Sequence, residues 1–238
     1  MLADTWPGLG RRRPPISTPT YHLLKPLALW LEEEGRAAHE RGGPYRLLDV
    51  GCGVKPYYPL FQPFVSDYVG VDPNEDVAPD LVGEVEAIPV DDGSFDLVVC
   101  TQVLEHCGDP AQAVRELRRV TAPGGRVLAS THGVQVYHPA PDDYWRWTHA
   151  GLERLFRQNG DWQNVTVRPA SGTTACLGLV LSIYVDLLSR RAHVAPLGRA
   201  VVTGLNRLTP AIDNRSARLR GPGPGSLHAN YHVTAIAS

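Results

Sequence analysis

The sequence predicts a doubly wound α/β fold, and two observations lead to this prediction. Apolar runs of strand length alternate along the chain with amphipathic segments of helical period. The strand-like runs are apolar almost throughout, which is typical of parallel strands whose two faces are both covered by helices. A length of 238 residues with 43% hydrophobic residues suits one such domain.

The predicted elements begin with a helix over residues 19–41, in which Leu23, Leu27 and Leu31 share one face. Buried strands bounded by turn residues follow at Arg46–Val50, Tyr68–Val71, Phe95–Cys100 and Arg126–Ser130. Further helices are predicted at 111–120 and 148–158, and further strands at 162–167 and 231–237. This order of strands and helices indicates one sheet covered on both faces.

Two segments are predicted to lie outside the sheet and its helices. Residues 1–18 are rich in Pro, Gly and Arg and are expected to form a flexible arm ahead of a single domain over residues 19–238. Residues 173–220 are mostly apolar and helical in pattern, where the basic fold needs only a short connection. We therefore expect a helical insertion there, before the last strand.

Charge is distributed unevenly along the chain. Residues 1–165 contain 15 Lys or Arg and 23 Asp or Glu, a net charge of −8, whereas residues 166–238 contain 8 and 2, a net charge of +6. The formal net charge of −2 for the whole chain gives no support for nucleic-acid binding. Four scattered cysteines predict neither a disulfide framework nor a metal site, and a reducing cytoplasm is the expected compartment.

The sharpest local signal is the segment LLDVGCGVKPY at residues 47–57. A buried strand ends near Asp49 and runs into Gly51-Cys52-Gly53, where glycine permits a tight turn and the close approach of a ligand. The next strand ends with Asp72, 19 residues after the second glycine. A carboxylate at this position can accept hydrogen bonds from two ribose hydroxyls, so the pattern predicts a nucleoside-containing ligand.

The cofactor suggested by this loop depends on one position. A dinucleotide-binding fingerprint needs a third glycine where this chain has Pro56, which disfavours a nicotinamide-dependent oxidoreductase. The loop instead resembles the first motif of the class I S-adenosylmethionine-dependent methyltransferases, an acidic residue followed by Gly-x-Gly, although the family often has a glycine at the position of Lys55. Residues 83–106 and 123–130 resemble later motifs of the small-molecule, methyltransferase type 11-like group. The resemblance implies a Rossmann-like sheet of seven strands with an antiparallel last strand.

The resemblance also implies a binding site for S-adenosyl-L-methionine on the loops that follow the first four strands. The residues concerned are Asp49, Gly51, Cys52, Gly53, Asp72, Pro73, Glu84, Val85, Thr101 and Gln102. Among them, Asp72 would bind the ribose hydroxyls and Glu84 the adenine edge, while Gln102 would line the methionine end. From the residues alone, Asp49 could instead cap its strand and Glu84 could be an exposed loop carboxylate.

Candidates for acceptor chemistry follow the fourth and fifth strands, where open α/β sheets place their ligands. Methyl transfer from a sulfonium requires alignment of the acceptor, and a general base only where the acceptor must lose a proton. His132 or Asp143 could take that proton, and Tyr144 could face the sulfonium. His106 could act as a base or organise the cofactor pocket. The loop that carries these residues could also be a helix cap whose tryptophans fill the core.

The function predicted from these motifs is methylation, most readily at oxygen, of a small-molecule or lipid-linked acceptor. A non-catalytic S-adenosylmethionine-binding regulator is the alternative. The insertion at 173–220 could cap the sheet, form a homodimer contact or make a peripheral membrane contact through its arginines. We expect a cytoplasmic protein. If the insertion makes a peripheral membrane contact, the protein would also be membrane-associated.

Overall fold

A computed structural model of the chain describes residues 2–139 and 141–238. Within these ranges the strands are β1 Tyr45–Val50, β2 Val65–Asp72, β3 Leu81–Val82, β4 Phe95–Thr101, β5 Thr121–His132, β6 Trp162–Pro169 and β7 Asn230–Ala237. They form one sheet in the order β3-β2-β1-β4-β5-β7-β6. Neighbours from β3 to β5 pair in parallel, and β7 runs antiparallel between β5 and β6. The predicted seven-stranded Rossmann-like sheet with an antiparallel last strand is confirmed.

The helices of the described residues are α1 Leu2–Thr5, α2 Leu9–Arg12, α3 Tyr21–Gly42, α4 Tyr58–Phe61, α5 Pro110–Val120, α6 His149–Gln158, α7 Thr173–Arg191, α8 Ala195–Asp213 and α9 Ala217–Arg220. Among them, α3, α5, α6, α7 and α8 lie close to the predicted positions, whereas α1, α2 and α4 were not among the predicted helices. Side-chain caps fix two of the starts: Asp109 accepts a hydrogen bond from the N–H of Gln112, and Thr148 accepts one from Gly151. A short 3₁₀ turn lies at Glu75–Val77.

Two apolar layers cover the sheet, one on each face. On one face Leu117 of α5 and Phe156 of α6 pack against the strands. On the other face Leu31 of α3 and Phe61 of α4 do so. Because both faces are occupied and β1, β2, β4 and β5 point the same way, the loops at their carboxyl ends gather at one edge of the sheet. The polar residues singled out from the sequence lie at that edge.

The N-terminal segment corrects the expectation of a flexible arm over residues 1–18. From residue 2 onward it is folded against the loop that follows β1: the indole N–H of Trp6 donates to the carbonyl of Lys55 at 2.8 Å. Arg12 is only 5% exposed and donates to the carbonyls of Trp6 and Pro56. A buried guanidinium needs acceptors for its fixed N–H groups, and these carbonyls supply them. Composition alone had indicated a solvated arm.

The helical insertion forms an antiparallel hairpin of α7 and α8. The helices approach closely at small residues, so that a Cβ atom added at Gly198 would lie 2.0 Å from the Oγ atom of Ser189. The buried carboxylate of Asp213, at the end of α8, accepts hydrogen bonds from the N–H groups of Thr174 and Ala175, each at 2.9 Å. The last residue of α8 therefore caps the first turn of α7, where the helix dipole favours a negative charge.

We expect the Asp213→Ala variant to lower the free energy of unfolding by about 2 kcal/mol, because two backbone N–H groups of α7 lose their acceptor. Urea denaturation monitored by circular dichroism measures this change. Asp186→Ala is the matched control on the same hairpin. It removes an ion pair with Arg190 at the surface, which should contribute less than about 0.5 kcal/mol. Equal losses in the two variants would contradict a capping role for Asp213.

Candidate functional site

The loop after β1 turns through two glycines with positive φ angles, +67° at Gly51 and +48° at Gly53. A Cβ atom added at Gly51 would lie 2.4 Å from a methyl carbon of Val103, so packing also requires glycine there. At Gly53 an added Cβ atom would meet nothing within 4 Å. The second glycine therefore borders open space, through which a ligand could approach the backbone.

Lys55 occupies the position at which the methyltransferase family that this loop resembles often has glycine. The backbone conformation at Lys55 explains why glycine suits this position. Its φ angle is +51°, a conformation that costs a non-glycine residue on the order of 1 kcal/mol. The side chain compensates by a salt bridge of 2.6 Å from its Nζ atom to Asp80, whose carboxylate also accepts the N–H of Gly70 at 2.6 Å. The loop therefore keeps the shape that a third glycine would allow.

Asp72, at the end of β2, connects two loops at the carboxyl edge. One carboxylate oxygen accepts the N–H of Gly53 at 2.8 Å, and the other accepts the N–H of Asn74 at 2.9 Å. Pro73 follows directly and is exposed. Since Asp72 pairs with Val82 of β3, the segment after β3 lies at the same edge. There Glu84 is exposed, whereas the side chain of Val85 is buried in the core.

Asp49 is buried beneath the glycine loop, with 2% of its surface exposed. Its carboxylate accepts a hydrogen bond of 2.6 Å from the hydroxyl of Tyr68 on β2. Burial raises the pKa of Asp49 to about 7, and burial together with Asp49 raises the pKa of Tyr68 well above its usual range. Cys52 is also buried, and burial raises its pKa to about 12, so its thiol stays protonated.

Gln102, directly after β4, joins three strands. Its φ angle is +57°, and its side-chain amide donates to the hydroxyl of Ser130 on β5 at 2.8 Å. Its amide oxygen accepts from the side chain of Asn230 on β7 at 3.0 Å. Thr101, the last residue of β4, pairs with Ser130 and is buried. The side chain of Gln102, which was expected to line the methionine end of the cofactor, is thus held in place by a hydrogen-bond network.

A buried carboxylate and two histidines lie beside this network. Glu105 is fully buried and accepts a hydrogen bond of 2.8 Å from the hydroxyl of Thr131. The Nε2 atom of His132 lies 3.3 Å from the Oε1 atom of Glu105 and 3.1 Å from the Nε2 atom of His138. Burial raises the pKa of Glu105 and lowers that of His132 to about 3. The Nδ1 atom of His132 is buried and has no hydrogen-bond partner among the described residues.

The loop after β5 places the other candidates around this pair. Asp143 does not act as a free carboxylate: it forms a bidentate pair with Arg146 at 2.5 and 2.6 Å and accepts the backbone N–H of His138. Arg146 holds the pKa of Asp143 well below its usual range. The expectation that Asp143 could take a proton is therefore corrected, because Arg146 occupies both of its carboxylate oxygens. Its contacts hold the loop in shape.

The two remaining candidates take different positions. His106 contacts the backbone carbonyl of Asp142 through its Nδ1 atom, and its ring centroid lies 5.2 Å from that of His138. Tyr144 is 58% exposed, and its pKa is raised by a hydrogen bond to Asp142. Its contact with the buried cluster is through its backbone N–H, which donates to the carbonyl of Glu105. His106 thus lies beside the histidine pair, whereas the phenol of Tyr144 lies at the surface.

Four contributors to this site were assigned no role from the sequence. They are Tyr68, Glu105, His138 and Arg146, which reach the site from β2, from the turn after β4 and from the loop after β5. An aromatic residue in a buried strand looks like a core residue, and an Arg next to polar residues looks like a surface residue. Among the described residues, no group of three His, Cys, Asp or Glu side chains is placed to hold a metal ion.

Comparison with known proteins identifies the segment that carries this edge of the sheet. Residues 48–129 match the model of a family described as a methyltransferase domain. The uncharacterized methyltransferase YcgJ of Bacillus subtilis is 32% identical over 114 residues, which cover 42% of this chain and 43% of that protein. The ubiquinone biosynthesis O-methyltransferase of Acinetobacter baumannii is 33% identical over 129 residues, 46% and 52% of the two chains. The matches thus span about half the length of these curated relatives.

Solved structures share the fold over most of the chain. YcgJ from Bacillus subtilis superposes with a TM-score of 0.51 at 19% identity and covers 87% of this chain and 97% of its own. A phosphoethanolamine N-methyltransferase of Haemonchus contortus, in complex with phosphomonomethylethanolamine and S-adenosylhomocysteine, gives a TM-score of 0.54 at 14% identity, covering 94% and 60% of the two chains. At these identities the structures establish the architecture.

The raised pKa of Asp49 gives a test of the buried carboxylate. Because burial raises this pKa from 3.8 to about 7, the protonated side chain stabilises the fold at low pH, and this contribution is lost as the pH rises towards and through 7. We expect Asp49→Asn, which does not titrate, to gain stability relative to the wild type between pH 4 and 8. The gain should be at most about 4 kcal/mol.

Urea unfolding of both proteins at several pH values measures this difference. Asp76→Asn changes an exposed carboxylate of the neighbouring 3₁₀ turn and should run parallel to the wild type. A stability difference between Asp49→Asn and the wild type that does not change with pH would contradict the burial of a raised-pKa carboxylate.

Proposed function

Since the chain belongs to the class I S-adenosylmethionine-dependent methyltransferases, we propose that it transfers a methyl group from S-adenosyl-L-methionine to a hydroxyl oxygen of a small organic acceptor. The observation that carries the choice of oxygen is the group of Glu105, His132 and His138 beside the ends of β4 and β5, in which Glu105 and His132 are buried. A hydroxyl must lose its proton to become a good nucleophile, whereas a neutral amine already offers a lone pair.

The residues at the ends of β1 and β2 suit such a cofactor. Each carboxylate oxygen of Asp72 accepts one backbone N–H, which leaves further lone pairs for two ribose hydroxyls. Open space beside Gly53 and the exposed positions of Pro73 and Glu84 leave room for a nucleoside. When bound, the cofactor supplies a methyl group that the positive charge of its sulfonium activates.

The remaining residues proposed for the cofactor site, Asp49, Thr101 and Gln102, support the glycine loop or border the methionine end. We assign Asp49 to the support of the glycine loop, because its carboxylate is held by Tyr68 beneath that loop. Thr101 and Gln102 would border the methionine end, and the network through Ser130 holds the Gln102 amide in one orientation. A side chain with a fixed orientation aligns a ligand at lower entropic cost than a mobile one.

His132 is the group that we assign to take the proton from the acceptor hydroxyl. A hydrogen on its Nε2 atom, which contacts His138 at 3.1 Å and lies 3.3 Å from Glu105, leaves the Nδ1 lone pair as the acceptor, and this atom lacks a partner among the described residues. Glu105 then stabilises the imidazolium that forms, as the carboxylate does in a Ser-His-Asp triad. Glu105 is a positioning residue in this scheme, because it acts through the imidazole.

The loop after β5 can shape the acceptor side. Trp145 and Trp147 stack with ring centroids 5.7 Å apart, and the indole N–H of Trp145 donates to the carbonyl of Cys107. The backbone N–H of Trp147 donates to the carbonyl of His132, which ties this aromatic pair to the proposed base. Flat aromatic walls suit a small organic acceptor. The relatives named ubiquinone biosynthesis O-methyltransferases agree with oxygen as the acceptor atom.

We expect Asp72→Ala to weaken the binding of S-adenosylhomocysteine by ten- to a hundredfold, because the variant removes the acceptor for the ribose hydroxyls and loosens the Gly53 loop. Isothermal titration calorimetry measures the affinity. Asp76→Ala, four residues further along and exposed, should leave it unchanged. An unaltered affinity in Asp72→Ala would remove this residue from the cofactor site.

The proton-transfer assignment predicts a pH profile. Transfer of labelled methyl from S-adenosylmethionine to a panel of phenols, carboxylic acids and amines first identifies an acceptor. With a phenol, kcat should rise with pH as Glu105, whose pKa is raised by burial, loses its proton. His132→Asn should lower kcat by 10²- to 10⁴-fold, and Glu105→Gln should remove the rise with pH. Both variants should bind S-adenosylhomocysteine as the wild type does.

The control is His193→Asn on the exposed connection between α7 and α8, which should behave as the wild type. Methyl transfer to amines alone, or full turnover in His132→Asn, would exclude the proposed base. Tight cofactor binding without transfer to any acceptor would favour the alternative of a non-catalytic regulator.

A further inference from the structure

The α7–α8 hairpin presents a broad apolar surface that the rest of the described chain leaves uncovered. Exposed apolar side chains recur along both α7 and α8 at intervals that place them on one side of each helix. These residues, called the outer face below, are Leu177, Leu181, Tyr184, Leu188, Leu197, Val201 and Leu208. Each is between 44% and 65% exposed. A contiguous apolar surface of this kind marks an interaction site.

Both helices turn their opposite sides towards the N-terminal part of the domain. Cys176 of α7 packs in one cluster with Leu23 of α3. On α8, the hydroxyl of Thr209 lies 3.0 Å from the Nε2 atom of His22, and Asn206 donates to the carbonyl of Ile16 at 2.7 Å. On each helix the exposed apolar side chains are therefore turned away from these contacts with the N-terminal part.

The charge of the insertion selects the partner. Residues 173–220 contain seven arginines and two aspartates. Of the aspartates, Asp186 pairs with Arg190, and Asp213 is buried as the cap of α7. The remaining arginines, such as Arg191 and Arg207, are exposed and form no ion pair within the described residues. An apolar face with unneutralised arginines is complementary to acyl chains beneath anionic headgroups.

We propose that the outer face of the α7–α8 hairpin binds the surface of an anionic lipid bilayer. Contact with a second copy of this chain fits less well, because a twofold interface would bring the same arginines together without a carboxylate to pair with them. A membrane span fits less well too. Among the described residues α7 alone is long and apolar enough to span a bilayer, but its other side is buried against α3 and α8.

The test is sedimentation with vesicles of phosphatidylcholine alone and of phosphatidylcholine with phosphatidylglycerol at a ratio of 3:1. We expect the full chain to bind the anionic vesicles at least tenfold more tightly, and raised salt to weaken this binding. Leu181→Ser combined with Leu197→Ser, and separately Arg191→Glu combined with Arg207→Glu, should each reduce it at least tenfold. These four side chains are exposed, so neither variant removes a core contact.

Matched controls lie on other surfaces of the domain. Leu29→Ser on α3 and Arg154→Glu on α6 change exposed residues of the same types and should leave vesicle binding unchanged. Absence of binding to anionic vesicles, or equal losses in the controls, would overturn the proposal. So would a dimer in sedimentation equilibrium that Leu181→Ser with Leu197→Ser dissociates. All variants should bind S-adenosylhomocysteine normally, so the result is independent of the proposed reaction.

Discussion

The parallel register of β1, β2, β4 and β5 is the constraint on which the candidate site depends. It brings four strand ends to one edge of the sheet, where each loop must satisfy polar groups that the sheet no longer pairs. The loops do so for one another: Asp72 accepts the N–H of Gly53, and Thr131 donates to Glu105. Any shift of one strand would therefore disturb the hydrogen bonds of its neighbours, which makes the edge a single unit.

This edge of the sheet contains two buried carboxylates, and burying a carboxylate costs free energy. Burial raises the pKa of both Asp49 and Glu105, so each is less stable in its charged form than it would be in water. Such groups persist where a function selects them, and both lie at the edge where the cofactor and the acceptor are proposed to meet. Tyr68 donates a hydrogen bond to Asp49, and Thr131 donates one to Glu105. The cost of burying each carboxylate is therefore offset by a hydrogen bond from a neighbouring strand.

The fold was predictable from the sequence because it depends on periodicity along the chain. The apolar runs became strands, and Thr148 caps α6 as its position indicates. The positions of candidate site residues were predictable only where a motif records them: Asp72 lies at the end of β2, as expected. Asp143 was assigned as a base because nothing in the sequence shows that Arg146, three residues on, closes a bidentate pair with it. Arg12 became buried because the carbonyl of Pro56 lies beside it in space, 44 residues away in sequence.

Hydrogen bonds at the base of the α7–α8 hairpin connect the basic C-terminal part of the chain to the loop after β5. The loop after β5 is fastened to the segment before β7, since the N–H of Val134 donates to the carbonyl of His228 at 2.8 Å. That segment is fastened in turn to the start of α7, where Thr173 accepts the N–H of Leu227. The proposed acceptor loop and the basic hairpin therefore share one anchor. A hairpin seated on an anionic bilayer would hold this loop in a fixed orientation to the lipid, the arrangement that a lipid-linked acceptor requires and a freely diffusing one does not.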